Sequence, residues 1–162
     1  MLFRRMNKTL LFFMLILLFA LLSSCRNSFG DGDEGENETK ISRYNSEKSH
    51  NAGENCISCH KEGGEGDGWF SAAGTVYDSL LKNTYPNAVI KLYTQKNGNG
   101  NIVKIIEVDR LGNFYTTENI DFSSGLFAAV EGRNVIKYMQ SSVETGQCGS
   151  CHGAKINRIW VK

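Results

Sequence analysis

Much of what this chain could do is excluded by what it lacks. Its formal net charge is only +1, so no strongly basic surface marks it for nucleic acid or for an anionic membrane. It shows no paired carboxylates and no Ser/His/Asp arrangement of the kind hydrolysis uses. No long amphipathic helix is visible. No βαβ pattern surrounds its cysteines, which argues against thioredoxin-like exchange chemistry. There is one proline, Pro86, standing just before an apolar run, where a missing N–H interrupts no strand ladder. Histidine stops at three and cysteine at five in 162 residues.

Those few residues are not scattered. Four of the cysteines and two of the histidines fall in Cys56-Ile57-Ser58-Cys59-His60 and Cys148-Gly149-Ser150-Cys151-His152. Each string is a C-x-x-C-H, the local signature of covalent c-type haem attachment. Two thiols three positions apart can form thioethers with the vinyl groups on one edge of a porphyrin, and the next imidazole can ligate the iron. The expected cofactors are two covalent haems c, held by Cys56, Cys59, Cys148 and Cys151, with His60 and His152 as proximal ligands. Distal candidates are few: His50, six residues before Cys56, and Met139, nine before Cys148, the latter alternating away from Ile136 and Tyr138. Trp69 and Trp160, each shortly after a motif, could cover a porphyrin face. Two other readings of the four cysteines stay open, a zinc site built from two C-x-x-C knuckles and a set of disulfides.

The fifth cysteine has its own context. Arg4, Arg5 and Lys8 precede an unbroken apolar run over 10–22, the length of a signal-peptide core and short for a membrane span. The run ends in Leu22-Ser23-Ser24-Cys25, which resembles the lipobox of bacterial lipoproteins. That resemblance implies a signal peptide over 1–24, lipid on Cys25 and a bilayer as one partner, since each buried methylene of an acyl chain contributes about 0.8 kcal/mol. Arg26 after Cys25, rather than aspartate, points to the outer membrane, facing the periplasm or the cell surface. Cleavage would leave 138 residues with 15 basic and 17 acidic side chains. An oxidising, extracytoplasmic compartment is also where haem c is attached and where a spare thiol would be a liability.

Residues 25–50 read as a flexible acidic tether, opening with Gly30-Asp31-Gly32-Asp33-Glu34-Gly35-Glu36: such sequence has nothing to bury and extends by charge repulsion. Residues 51–68 hold the first motif in a Gly-rich setting, unlike the helical setting of small cytochromes c. From 69 to 145 the texture changes to short alternating runs between turn residues. Strands are expected at 69–77, 88–94, 102–108, 113–117, 126–131 and 134–140, with a hairpin at Asn97-Gly98-Asn99-Gly100 and further turns at Leu111-Gly112-Asn113 and Gly132-Arg133-Asn134. Ile90 and Leu92 should face the core opposite Lys91, and Ile136 and Tyr138 opposite Lys137. The fold class is mainly β, a small Ig-like β-sandwich between two C-x-x-C-H segments, the second at 146–162.

Ala73-Gly74-Thr75-Val76-Tyr77, then Tyr85-Pro86-Asn87-Ala88-Val89-Ile90-Lys91-Leu92, then Val108-Asp109-Arg110-Leu111-Gly112-Asn113-Phe114, resemble the progression of carboxypeptidase regulatory-like domains over 69–140. The resemblance implies a seven-stranded prealbumin-like sandwich and no particular activity. An even strand count would bring the two motifs to one pole and an odd count would separate them. Taken together, the chain reads as a lipid-anchored di-haem cytochrome of the bacterial envelope. It would carry electrons to other redox proteins there, rather than catalyse. A small haem peroxidase would need an open iron position. The rival is an envelope-binding sandwich whose cysteines form disulfides or hold zinc.

Overall fold

The computed structural model describes residues 39–162. The expected signal peptide, Cys25 and the acidic run up to Glu38 lie outside the described residues. Among the described residues no helix is long and apolar enough to cross a membrane, and there is no α-helix, only three short 3₁₀ turns.

Eight strands form two sheets in a sandwich-like arrangement: β1 (Ala72–Tyr77), β2 (Val89–Tyr93), β3 (Ile102–Glu107), β4 (Asn113–Thr116), β5 (Phe127–Glu131), β6 (Ile136–Tyr138), β7 (Gly146–Gln147) and β8 (Ile159–Trp160). One sheet has the order β3-β2-β5-β6, antiparallel throughout. In the other, β4 pairs one side of β1, while β7 and β8 pair β1 in parallel. All six expected strands are present, each a few residues shorter than its apolar run. β2 and β3 are joined through the expected turn, where Asn97, Gly98 and Gly100 take positive φ, a region that glycine and asparagine enter at least cost.

The core follows the alternation. Ile90, Leu92, Ile106 and Val130 from one sheet meet Ala72, Val76 and Phe114 from the other. Phe114 is 1 % exposed, and burying such a ring contributes about 1.5–3 kcal/mol. Asp109 closes the turn into β4: its Oδ1 accepts from the backbone N–H of Leu111 and of Asn113, both at 2.9 Å.

Two features differ from the sequence reading. On β6, Lys137 rather than Ile136 shares the inward row: it pairs with Val130, itself opposite Ile90, and Ile136 is exposed. Alternation on an edge strand fixes two faces without saying which is inside, and here the inside is an open space that tolerates an ammonium stem. Residues 39–50, whose composition suggests a tether, run along the sandwich. Ile41 bridges Thr116, the buried Ser42 exchanges hydrogen bonds with Tyr115 at 2.9 and 3.0 Å, and Lys40 and Thr117 bond reciprocally. Their polar groups cap the β4 edge instead of facing only solvent.

Candidate functional site

Strand β1 positions both cysteine motifs. Its six residues are all buried, and four are small: Ala72, Ala73, Gly74 and Thr75. A Cβ on Gly74 would meet Cζ of Phe114 at 2.8 Å and Cβ of Cys148 at 3.1 Å, so glycine here admits Cys148 onto the strand. The second motif is an excursion from the β1 edge. β7 pairs with Ala72 and Ala73, the chain loops out through Cys148 and His152, and β8 returns to Val76 and Tyr77. The first motif enters just before β1, with the Phe70 N–H donating to His60 O at 3.0 Å.

The two motifs share one local geometry. Cys56–Ser58 and Cys148–Ser150 are each a 3₁₀ turn. The N–H of His60 donates to Cys56 O at 3.0 Å, and that of His152 to Cys148 O at 2.9 Å. The serine between the cysteines closes each turn: Ser58 Oγ donates to Asn55 O and Ser150 Oγ to Gln147 O, both at 2.7 Å. Downstream, the carbonyl of the second cysteine accepts from Gly66 in one motif and from Lys155 and Ile156 in the other, folding the loop back under the histidine.

That loop supplies the decisive contact. His60 Nδ1 lies 2.9 Å from Asp67 O, and His152 Nδ1 lies 2.7 Å from Asn157 O. A carbonyl oxygen only accepts, so each Nδ1 carries a proton, and in the neutral imidazole Nε2 is the nitrogen left with a lone pair. Among the described residues no hydrogen bond engages either Nε2. Metal-binding imidazoles are commonly oriented by the same kind of Nδ1–H to carbonyl contact.

The first ring is clamped further. Phe70 stacks on His60 with centroids 4.2 Å apart and 12° between planes, and Tyr115 stacks on Phe70 at 4.8 Å. A Cβ on Gly66 would sit 2.6 Å from Nδ1 and 2.8 Å from Cγ and Cε1 of His60. Nearly equal distances to three consecutive ring atoms put it over the ring face, opposite the phenyl stack. The His50 ring lies 5.7 Å from that of His60, tilted by 35°. The His50 segment is pinned by a buried polar chain: Thr75 Oγ1 donates to Asn113 Oδ1 at 2.6 Å, Gly53 N–H donates to Thr75 Oγ1 at 2.9 Å, and Asn113 Nδ2 donates to Ser49 Oγ and His50 O.

The two motifs touch. A Cβ on Gly149 would meet Glu54 O at 2.8 Å and Cα of Asn55 at 3.0 Å. A narrow cleft is lined by Gly53, Glu54, Gly149 and His152 together. The sequence left open whether the motifs share a pole. They do, because β7 and β8 both pair with β1.

Between the sheets, on the β6–β7 side, lies a cavity of about 780 Å³. Its wall combines core residues such as Ile90, Leu92 and Phe114 with Cys148, Cys151, His152 and Met139. Met139, expected to point away from the core, lies on the inward side with Lys137. The space is open on one side, so solvent or a ligand fills it. Lys137 lies over the Trp160 ring beside it, and desolvation, with Lys162 nearby, lowers its pKa.

All four described cysteines are free. Burial pushes the Cys148 thiol up to about 12, with Cys56 adding to the rise, and burial raises Cys56 too. A thiol kept neutral is a poor nucleophile for disulfide exchange. Among the described residues no group of three or more His, Cys, Asp or Glu converges on a metal position. A haem iron asks the protein for only one or two side chains, and the two isolated imidazoles with their paired cysteines fit that demand.

Sequence reasoning singled out the four cysteines, His60 and His152 but not Gly66, Phe70, Thr75, Asn113 and Lys137. The one available signal was Gly66 within a run of glycines, which marks a close approach without saying to what. Comparison of the chain with models of known protein families, with curated proteins and with solved structures finds no match.

Proposed function

We propose that the protein is a di-haem c-type cytochrome that relays electrons in the bacterial cell envelope. The reading adds a prealbumin-like sandwich of the carboxypeptidase regulatory-like kind and a lipid anchor at Cys25. The observation that carries the proposal is the duplicated motif geometry: two C-x-x-C-H turns, each ending in a histidine whose Nδ1–H is spent on a backbone carbonyl.

Each residue then has a role. Cys56 and Cys59, and Cys148 and Cys151, would each hold one porphyrin through two thioethers, which S–H addition across a vinyl group forms without consuming an oxidant. His60 and His152 would present Nε2 to the iron. Phe70 and Gly66 hold the His60 ring from its two faces, and the Asp67 and Asn157 carbonyls fix tautomer and orientation and raise ligand basicity. The bound group supplies reversible one-electron chemistry; the protein sets ligation, exposure and spacing. Contact of the two motifs across Gly149 supports exchange within one chain, and transient contacts with other envelope redox proteins would carry electrons on.

The test is the visible spectrum and intact mass of protein matured in a host with haem-attachment machinery. A Soret band, a split reduced spectrum and mass added by two acid-acetone-resistant haems are expected. Colourless protein of bare polypeptide mass would reject the reading.

A further inference from the structure

We infer that the space between the sheets is the seat of the second haem, with Met139 closing its iron opposite His152 and Lys137 and Lys155 receiving its propionates. The inference rests on the di-haem reading above and assigns the two sites unequal roles.

Four independent features of the wall support it. The volume, about 780 Å³, is within the range of cofactor sites, ~300–1,000 Å³. One complete attachment motif, Cys148, Cys151 and His152, opens onto it. Met139, the one methionine among the described residues, stands on the same wall. The wall holds three cations, Lys137, Lys155 and Arg158, and no carboxylate. Haem is an apolar disc with two carboxylates on one edge, so each part of it has a counterpart here: aliphatic and aromatic walls for the faces, thiols for the vinyls, imidazole and thioether for the metal, ammonium groups for the propionates. Arg158 donates to Leu81 O at 3.0 Å, whereas the Lys137 ammonium, over the Trp160 ring, makes no ion pair or hydrogen bond among the described residues, which leaves the two lysines.

The first site is of another kind. Cys56, Cys59 and His60 are absent from this wall. Instead, the exposed His50 ring lies 5.7 Å from His60. That makes His50 the candidate for the second ligand of this haem. A thioether ligand raises the potential relative to a second imidazole. The first haem is therefore the exposed, lower-potential port, and the second the recessed, higher-potential store.

The experiment is an optical and electron-paramagnetic redox titration of the holoprotein and of Met139→Leu, Met139→His, Lys137→Gln and Lys61→Gln. The wild type should show two separated potentials and a far-red thioether-to-ferric-iron band. Met139→Leu and Met139→His should abolish that band and lower only the higher potential. Lys137→Gln should also lower it, by removing a cation that disfavours the oxidised iron, while Lys61→Gln leaves it in place. If Met139→Leu does not accumulate, Met139→His and Lys137→Gln carry the test. Two haems by mass with neither the band nor the higher potential sensitive to position 139 overturns this inference alone. No covalent haem at all overturns the reading beneath it.

Discussion

Alanine at position 66 probes the first site most cleanly. Gly66 does not take a positive φ, so the backbone accepts alanine and the whole effect comes from one methyl. That carbon would lie 2.6–2.8 Å from three atoms of the His60 ring, where unstrained carbon contacts sit at about 3.5–4.0 Å. The ring or the loop must move by about 1 Å. The ring cannot slide freely, because it is stacked on Phe70 at 4.2 Å and bonded to Asp67 O at 2.9 Å. Overpacking of this kind costs about 1–3 kcal/mol, offset by about 0.4–1 kcal/mol from the stiffer unfolded chain. With about 3–6 °C of melting temperature per kcal/mol at this size, the net loss of up to about 2.6 kcal/mol should lower Tm by up to about 15 °C. Part of the ferric spectrum should turn high-spin as the His60 Nε2 leaves its axis. Gly63→Ala is the control: a Cβ there meets nothing within 4 Å, but φ is +68°, so stability should drop while the spectrum holds. Gly66→Ala with unchanged melting and unchanged spin state would refute the clamp.

Three further outcomes follow from the geometry. Gly149→Val should push the motifs apart, since a Cβ already meets backbone atoms at 2.8–3.0 Å; magnetic coupling between the two ferric centres should weaken while both remain attached. Asn113→Ala should destabilise by about 2–4 kcal/mol, because it strands the Thr75 hydroxyl and frees the His50 segment; amide exchange over 49–53 should accelerate while the β2–β5 core stays protected. Lys104, by hydrogen bond and charge, holds the Glu118 carboxyl below the usual range. A folded-state pKa below the unfolded one gives stability that is present above about pH 4.3 and lost as pH falls through the folded value. Glu118→Gln should therefore flatten the acid limb of the melting curve slightly and leave neutral-pH stability almost unchanged, given its exposure.

The six long strands were legible because period-2 alternation and turn residues act locally: Ile90 and Leu92 face in, and Gly98 and Gly112 sit where positive φ is needed. β7 and β8 were not. Gly146–Gln147 and Ile159–Trp160 are two residues each, too short to show a period, and both are held by parallel pairing to a strand 74 and 83 residues away, respectively. Missing them left the relation of the two motifs undecided. The two C-x-x-C-H strings could be read from spacing alone, whereas Phe70, Gly66 and Asn113 act through a fold that brings distant residues together. Lys137 was assigned to the wrong face because a lysine on an alternating edge strand normally marks solvent. Here it marks the wall of a cavity, and turning it inward carries Met139 to the same side as His152.

The account stands on covalent attachment of porphyrin at both C-x-x-C-H turns, and intact mass under denaturing conditions measures that directly. For protein matured with haem-attachment machinery, the account predicts a mass two haems above the polypeptide, falling by one haem in the Cys56→Ala/Cys59→Ala double variant and by one in Cys148→Ala/Cys151→Ala. A mass equal to the bare polypeptide, or lower only by the hydrogens lost to disulfides, would contradict it.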